Sequence, residues 1–469
     1  MKQTLLFFSL LFFTKIILAN NITISNVSLI NKNLTTHSYN VTFDIAWENS
    51  WRTSTNESNY DGAWVFFKYR QTNTTEWKHL KLNFIFLSTA GAGAEITLPT
   101  DNAGLFIYRS ANGLGNVNFT GNQVTWSYGL AGVQDNQTVE IKAFAVEMVN
   151  IPEGPFNLGT GSQDVATFKN ASAAIPFFVT NSSITFSNTG NNLYSTNPSV
   201  TLPLGTILPG AFPRGFSAFW LMKYETTQQQ YADFHNNLTQ AQSAYLLSLG
   251  NYSSVNFLSG IYPNLTAVFP EGPIYGYNGV FINSMADWAG LRPYTEMEYE
   301  KACRGANITA LPFELAWGAT ESSMVTLTSV NDSATATESV NVPANANYAA
   351  SFAARVGIFA RATGSSRLLS GATYYGVMNM SDNAQELVIG IDMATTFNGT
   401  VTGDGQLSIN GTTDITSWTN TLYFTKGGGF RNDGSGAGYY TVSNRLGGSF
   451  SPTNSGSFST GIRLARNAF

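Results

Sequence analysis

The first third of the chain alternates apolar and polar residues in the way that is typical of half-buried β-strands. In residues 40–47 (NVTFDIAW), apolar side chains occupy every second position from Val41 to Trp47. Successive side chains of a strand point to opposite faces, so this segment would bury one face. Further short runs of β-forming residues, separated by Gly, Asn and Ser clusters, occur at 63–69, 104–108, 123–127 and 138–146. This spacing predicts an antiparallel, immunoglobulin-like β-sandwich over residues 20–147.

Four tryptophans fall in or beside these runs, at Trp47, Trp51, Trp64 and Trp77. Their rings could form a platform that binds carbohydrate, but the tryptophans of a sandwich more often fill its core and rim. We therefore expect a packing role for them, and a spacer or docking role for the predicted sandwich.

Helical spacing begins near residue 227, after the apolar run FWLMKY at 219–224. Thr227 and Gln230 match a capping box, in which the hydroxyl accepts a backbone N–H bond and the amide reaches back. Tyr231 and Phe234 then recur at helical spacing. The pattern predicts an amphipathic helix with one buried face.

A second helix is predicted within residues 287–305 (DWAGLRPYTEMEYEKACRG). Thr295 and Glu298 form another capping box. Glu296, Glu298 and Glu300 crowd the first turn, where carboxylates suit the positive end of the helix dipole. The same carboxylates could serve as an acid–base pair, but the capping role accounts for them more simply.

Composition excludes several classes of protein. The chain has one cysteine, Cys303, so it cannot form an intramolecular disulfide or a Cys-rich zinc site. Cys303 lies on the predicted second helix, where we expect a small buried apolar side chain. Charged residues make up 11% of the chain and the net charge is −5, with no basic run. Nucleic acid is therefore not an expected partner.

The beginning of the chain has the pattern of an export signal. Lys2 precedes an apolar run from Leu5 to Phe13, and a small residue follows at Ala19. We expect residues 1–19 to be a cleaved signal peptide, since the run is shorter than the roughly 20 apolar residues that span a bilayer. An uncleaved anchor is the alternative. The expected location is secreted or extracytoplasmic, in a periplasm or at a cell surface, with no transmembrane segment after signal removal.

From Met148 onward, short motifs follow one another in a recognisable order. They are MVNIPEGPFNLG (148–159), FWLMKYETTQQQYADF (219–234), WAGLRPYTEMEYEKACRG (288–305), ATYYGVMNMSDNAQE (372–386), GGGFR (427–431), VSNR (442–445) and GIRLAR (461–466). This set resembles the sulfatase-modifying-factor, or formylglycine-generating enzyme, family, in a secreted bacterial subgroup with an N-terminal β-sandwich. The resemblance implies an α+β fold. In it, the antiparallel sandwich precedes an irregular, loop-rich C-type-lectin-like domain at residues 148–469.

The sequence departs from that family at the catalytic motif. Formylglycine formation in the family uses copper held by two cysteines that follow a Gly-Gly-x motif. Here the stretch reads GGGFRNDGSGAGYY, with Asn432 and Gly436 where thiols are expected. Thiolates suit Cu(I), and asparagine does not replace them. Cys303 lies far upstream, and the His-rich helical domain of the iron-dependent sulfoxide synthase branch is missing. We therefore expect no catalytic residues and no copper.

The resemblance also implies structural Ca²⁺, bound by backbone carbonyls and a few side-chain oxygens. Asn347, Asn383 and Glu386 match the family's ligand motifs, and oxygen ligands suit Ca²⁺. The alternative is that these residues only form turns and caps, and both interpretations remain open.

Other motif residues have mainly structural interpretations. Arg431, Arg445 and Arg463 are expected to buttress loops, because a guanidinium can bond several carbonyls at once; substrate binding is the second choice. The turn Gly403 to Gly405 is interpreted first as a tight turn and second as a metal loop.

Three functions follow from these observations. The first is a non-catalytic exported protein that acts in extracellular binding, adhesion or assembly, with a glycan or a cell-surface protein as partner. The second is a formylglycine-generating or related oxidase, which rests on fold resemblance alone. The third is a structural surface protein that self-associates.

Overall fold

The computed structural model describes residues 22–83, 88–161, 163–164, 166–250, 255–327, 330–331, 337–340, 344–347, 352–360, 366–418, 423–430, 437–446 and 459–468. Over these residues the protein is a mixed α+β structure in which strands predominate, which confirms the predicted α+β class. No helix in this part of the chain is long and apolar enough to cross a membrane.

The N-terminal third forms long antiparallel strands. They are β1 (Thr23–Asn33), β2 (Ser38–Arg52), β3 (Asp61–Gln71), β4 (Lys78–Leu80), β5 (Ala94–Thr97), β6 (Leu105–Arg109), β7 (Gly113–Trp126) and β8 (Val139–Ile151). Strands β1, β2 and β7 pair in that order as one sheet. The predicted alternation is confirmed in β2, where Val41, Phe43, Ile45 and Trp47 are each no more than 1% exposed.

The rest of the described chain carries short strands and a few helices between irregular segments. The strands are β9 (Phe156–Leu158), β10 (Phe168–Asn170), β11 (Phe177–Val179), β12 (Thr185–Phe186), β13 (Leu193–Ser195), β14 (Thr206–Ile207), β15 (Phe219–Met222), β16 (Leu258–Ser259), β17 (Thr266–Ala267), β18 (Val330–Asn331), β19 (Ser339–Val340), β20 (Gln385–Ile389), β21 (Tyr423–Lys426), β22 (Thr460–Gly461) and β23 (Ala465–Asn467). The α-helices are α1 (Gln228–Asn236), α2 (Gln240–Ser248), α3 (Gly279–Trp288), α4 (Glu296–Arg304) and α5 (Arg367–Ser370). Short 3-10 helices occur at Glu321–Ser323, Ile391–Met393, Thr416–Trp418 and Ala437–Tyr440.

One sheet combines strands from both sides of the predicted boundary between residues 147 and 148. Its order is β23-β15-β8-β3-β6-β5, with β4 beside β3. Strand β8 itself runs through the boundary, pairing with β3 along one edge and with β15 along the other. We call this seven-stranded sheet the mixed sheet.

Strand β3 lies between two hydrophobic cores, which is why nearly all its side chains are buried. Because side chains alternate along a strand, Val65 and Phe67 pack with β2 residues in one core. Trp64 and Phe66 pack in the other core, with side chains from α1 and α3. The indole N–H of Trp64 donates to the carbonyl oxygen of Ala289 at 2.8 Å. The mixed sheet therefore joins the two parts of the chain through packing as well as pairing.

Both predicted capping boxes are confirmed. At α1, the Gln230 N–H donates to the Thr227 hydroxyl at 3.2 Å, and the Thr227 N–H donates to the Gln230 side chain at 3.0 Å. At α4, Thr295 and Glu298 make the same reciprocal bonds. Helix α1 ends at Asn236, and Tyr231 and Phe234 are buried on it as the spacing predicts.

The carboxylates at the start of α4 are all paired with buried cations. The pairs are Glu296–Arg445 (2.5 Å), Glu298–Arg292 (2.6 Å), Glu300–Arg304 (2.7 Å) and Glu300–Lys426 (3.3 Å). Glu298 thus both caps the helix and pairs with Arg292, whereas Glu296 and Glu300 are held by ion pairs. The three are held by cations and do not form an acid–base pair with each other.

A buried lysine ties the two parts of the chain together where β15 ends. Nζ of Lys223 lies 3.1 Å from Oδ2 of Asp61 and 3.0 Å from Oε2 of Glu147. Asp61 also accepts hydrogen bonds from the Ser50 hydroxyl at 2.8 Å and the Trp47 indole at 3.1 Å. Burial raises the pKa of Glu147 to about 7. This cluster is a buried ionic junction between β2, β3, β8 and β15.

Candidate functional site

The structure brings together two of the three residues predicted to bind calcium. The Asn347 side-chain N–H donates to Oδ1 of Asn383 at 3.0 Å. The Asn347 backbone N–H donates to Asp382 at 2.9 Å. Oδ1 of Asn347 is buried and has no hydrogen-bond partner among the described residues. One side-chain oxygen at this position is thus available to a cation.

Glu386 points to a different set of partners. Nε of Arg463 donates to Oε1 of Glu386 at 2.7 Å, and the Tyr294 hydroxyl donates to Oε2. Burial raises the pKa of Glu386 to about 7, although the Arg463 guanidinium opposes the shift. Both carboxylate oxygens are therefore occupied by protein donors.

Other acidic groups that the sequence interpretation did not single out surround Asn383. Glu225 accepts from the Asn383 side chain at 2.8 Å and from the Ala384 N–H at 2.7 Å. Asp382 accepts from the Asn379 side chain at 3.2 Å, and burial raises the pKa of Asp382 to about 7. This network is satisfied by hydrogen bonds apart from Oδ1 of Asn347. Calcium binding here stays a prediction, for which that oxygen is the observed support.

A second group of acidic side chains surrounds the Gly403 to Gly405 turn. Carboxylate oxygens of Asp287, Asp404 and Asp414 lie within 4.8 Å of one another. Asp287 accepts from the Asp404 N–H at 3.1 Å and from a threonine hydroxyl at 2.6 Å. Burial raises the pKa of Asp287 to about 6, and the neighbouring carboxylates add to the shift. Both oxygens of Asp287 already have protein donors, so the turn is a structural element first.

A cleft of about 740 Å³ opens where the mixed sheet meets the first helices. Its lining comes from residues within 76–83, 126–131, 237–242 and 405–407, with contributions from Trp288 and others. Both parts of the chain therefore contribute to it. The volume lies within the roughly 300–1,000 Å³ of small-molecule sites.

Aromatic rings form part of this lining, but only Trp77 of the four tryptophans considered as a platform takes part. Trp47 and Trp64 are 1% and 0% exposed and belong to the two cores, as a packing role requires. Trp51 is half-buried and donates its indole N–H to Asn59 at 3.2 Å. Trp77 is also half-buried.

Three lining residues carry a buried polar atom that has no hydrogen-bond partner among the described residues. The atoms are Oδ1 of Asn102, Oδ1 of Asn237 and Nε1 of Trp288. A buried polar group without a partner costs free energy, so native proteins leave few of them. Two acceptors and one donor without partners thus belong to residues of this lining, although Asn237 and Trp288 also border neighbouring cavities.

A buried lysine supports the cleft from beneath. Nζ of Lys68 lies 3.0 Å from Nδ1 of His79, 2.7 Å from the carbonyl oxygen of Trp288 and 3.3 Å from that of Gly405. Burial lowers the pKa of Lys68 to about 7, against the raising effect of Asp287. A Cβ atom at Gly405 would lie 2.0 Å from Nδ1 of His79, so the turn needs glycine there. Lys68 thus holds β3, β4, α3 and this turn at fixed spacing.

The single thiol lies away from these features, in a separate apolar core. Cys303 is 1% exposed on α4, as expected for a small buried apolar side chain. Burial raises the pKa of the Cys303 thiol to about 12. The predicted departures at Asn432 and Gly436, together with Arg431, lie outside the described residues.

Arg445 and Arg463 lie among the described residues, and both are buried and donate hydrogen bonds to loop segments. Arg463 donates to the carbonyl oxygens of Met222 at 2.8 Å and Met378 at 2.7 Å, in addition to its bond with Glu386. Arg445 pairs with Glu296 and reaches the Ser195 hydroxyl at 2.5 Å. These contacts agree with a buttressing role.

In comparisons with known proteins, no family model and no curated protein matches this chain.

Proposed function

We propose that this chain is an exported, sulfatase-modifying-factor-like protein in which a β-sandwich precedes a C-type-lectin-like domain. The ordered motifs from Met148 to Arg466 support the family resemblance. The β1-β2-β7 sheet shares a hydrophobic core with the mixed sheet, which supports the sandwich. Short strands and helices joined by irregular segments support the loop-rich second domain.

We propose that the protein binds a ligand and does not form formylglycine. The observation that carries this proposal is the state of the only thiol in the sequence. Cys303 is buried and its pKa is raised to about 12, so it remains a neutral thiol at physiological pH. In the family that the motifs resemble, copper is held by two thiolates, and a neutral thiol is not such a ligand. We infer that the protein acts in binding, adhesion or assembly, with the cleft as its ligand site, and the export-signal pattern of residues 1–19 supports a place outside the cytoplasm.

An aldehyde assay tests this proposal against the oxidase alternative. The purified full chain is incubated with copper, oxygen and a Cys-x-Pro-x-Arg peptide, and the product is examined by mass spectrometry after aldehyde labelling. We expect no aldehyde from the native chain. Any aldehyde from the native chain would overturn the proposal, and aldehyde from a Cys303→Ala variant as well would show that the oxidase does not depend on the thiol.

Self-association is the second candidate function, and exposed aliphatic side chains favour it. Leu130, Ile261 and Ile409 are 87%, 84% and 89% exposed. Isolated apolar residues of this kind are common on monomeric proteins, so they rank below the cleft. Light scattering over a wide range of concentration distinguishes the two, because a constant monomer mass excludes self-association.

A further inference from the structure

Two of the unpartnered polar atoms, those of Asn237 and Trp288, are held in fixed orientations by contacts that do not use them. The side-chain N–H of Asn237 donates to the carbonyl oxygen of Asp233 at 2.6 Å, which directs Oδ1 away from that bond. The Trp288 ring packs edge-on against Phe66 at 5.1 Å, so its indole N–H is held in one direction. Asn102 occupies a left-handed turn conformation with a φ of 60°. Fixed groups of this kind lower the entropic cost of binding.

The charge of the lining favours an uncharged ligand. Glu76, Lys78 and Lys81 are exposed, and no arginine occurs among the described lining residues. Burial lowers the pKa of His79 well below its usual value, so this ring is neutral at pH 7. Anion sites typically use arginine forks or several converging cations, and this set does not provide them.

The donor and acceptor set favours hydroxyl groups. Two amide oxygens require donors from the ligand, and an indole N–H requires an acceptor; a hydroxyl serves as either. A peptide strand would instead bind along a strand edge, whereas Asn102 lies between β5 and β6, Asn237 follows α1 and Trp288 ends α3. Trp77 also lines the cleft, and the Arg70 guanidinium and the Lys142 ammonium lie 4.6 and 4.4 Å from its ring centroid.

We propose that the cleft binds a neutral oligosaccharide, whose hydroxyls pair with Asn102, Asn237 and Trp288. This inference rests on the proposed binding function and names its ligand class. The three atoms are shielded from solvent in this conformation. The ligand therefore reaches them only when side chains of the lining move, as side chains at binding sites commonly do.

Calorimetric titration of the full chain with neutral tetrasaccharides tests the proposal, with probes chosen from a neutral glycan array. Asn102→Gly is the sharpest variant, because glycine adopts a φ of 60° without strain while the acceptor is lost. We expect it to bind roughly tenfold more weakly or worse. Asn102→Asp keeps an acceptor and should bind nearly as the native chain does. Asn307→Gly is the matched control, since Asn307 is an exposed, left-handed asparagine outside the lining.

A spectroscopic readout follows Trp288 directly. The indole N–H resonance that disappears in Trp288→Phe identifies this residue in ¹⁵N-correlated spectra of the native protein. We expect that resonance to shift when the tetrasaccharide is added, in proportion to the calorimetric saturation. An unmoved resonance at saturation would remove Trp288 from the site.

The remaining outcomes separate the inference from the proposed function. Failure of every neutral glycan to bind, or equal affinity of Asn102→Gly and the native chain, overturns the inference. Binding of an acidic heparin tetrasaccharide or of a peptide in their place also overturns it. The aldehyde assay then reports on the proposed function independently, because a negative result leaves a binding protein with a different ligand, and a positive result overturns that function.

Discussion

A neutral, buried histidine on α1 makes the stability of this protein depend on pH. His235 is 0% exposed, its Nδ1 lies 3.0 Å from the Ser243 hydroxyl, and its ring stacks on Phe281. Burial lowers the pKa of His235 to about 3. In the unfolded chain the histidine binds a proton near pH 6.5. The contribution of the neutral ring to the free energy of unfolding is therefore complete above that pH and is lost as the pH falls below it.

We expect the free energy of unfolding to fall by about 2 kcal/mol between pH 7 and pH 5 because of His235. The measurement is a urea titration at both pH values, for the native chain and for His235→Phe. The variant should lack this part of the pH dependence. Parallel pH profiles for the two proteins would contradict a neutral buried ring at this position.

The thiol of Cys303 should not react with thiol reagents in the native protein. Its burial and its pKa of about 12 leave almost no thiolate at pH 8. A disulfide reagent should therefore label none of the native chain and one thiol in guanidinium chloride. Rapid native labelling at a rate typical of exposed thiols would disprove the burial and weaken the argument against copper.

At the scale of elements, the ionic junction at Lys223 should contribute strongly to stability. Lys223→Met leaves Asp61 and Glu147 buried without their cation, which typically costs about 3–5 kcal/mol. The matched control is Arg70→Met in the partly exposed pair with Glu140, where the expected change is about 1 kcal/mol or less. Denaturant unfolding measures both. Similar effects of the two variants would mean that the junction is not desolvated.

The prediction of calcium binding can be tested at the loops around Asn347. We expect calcium to raise the melting temperature. At a calcium concentration 100-fold above the dissociation constant, binding adds about 2.7 kcal/mol to the free energy of unfolding. Asn347→Ala should remove this increment, because the variant lacks the unpartnered oxygen. Asp414→Asn controls for the acidic group near Gly403. An unchanged melting temperature in calcium and in chelator would end the prediction.

Local features of the elements could be predicted from sequence, whereas their distant partners could not. The boxes at Thr227 and Thr295 depend on residues three positions apart, and both were found where the pattern placed them. Glu296 instead meets Arg445, 149 residues away, and Glu225 meets Asn383, 158 residues away. Pairing over such distances depends on the tertiary fold, which spacing along the chain does not encode.

At the scale of the whole molecule, the mixed sheet makes independent folding of the predicted domains unfavourable. A fragment of residues 20–147 would expose Trp64 and Phe66, which pack against the C-terminal part. We expect this fragment and 148–469 to give poorly dispersed NMR spectra when produced separately, and a native-like spectrum when produced together. A cooperatively folded 20–147 fragment would instead support the predicted boundary, which otherwise stays a prediction.

The cleft is a property of the assembled molecule, which is why the motifs did not indicate it. Asn102, Asn237 and Trp288 come from both sides of the predicted boundary and follow no common spacing. The available signal was the cluster of turn residues around Asn102, which indicates a loop but no ligand. Trp77 was singled out, and it is the one member of that group that lines the cleft.

The place of β23 in the mixed sheet has a consequence for the timing of synthesis. Strand β15 pairs with β8 on one edge and with β23 on the other, and the backbone N–H of Met222 donates to Leu464, which is 242 residues away. While the chain is being made, that second edge of β15 stays open until nearly all of these residues have emerged. An open strand edge can pair with another chain. The nascent protein therefore needs protection along β15 during the second half of its synthesis.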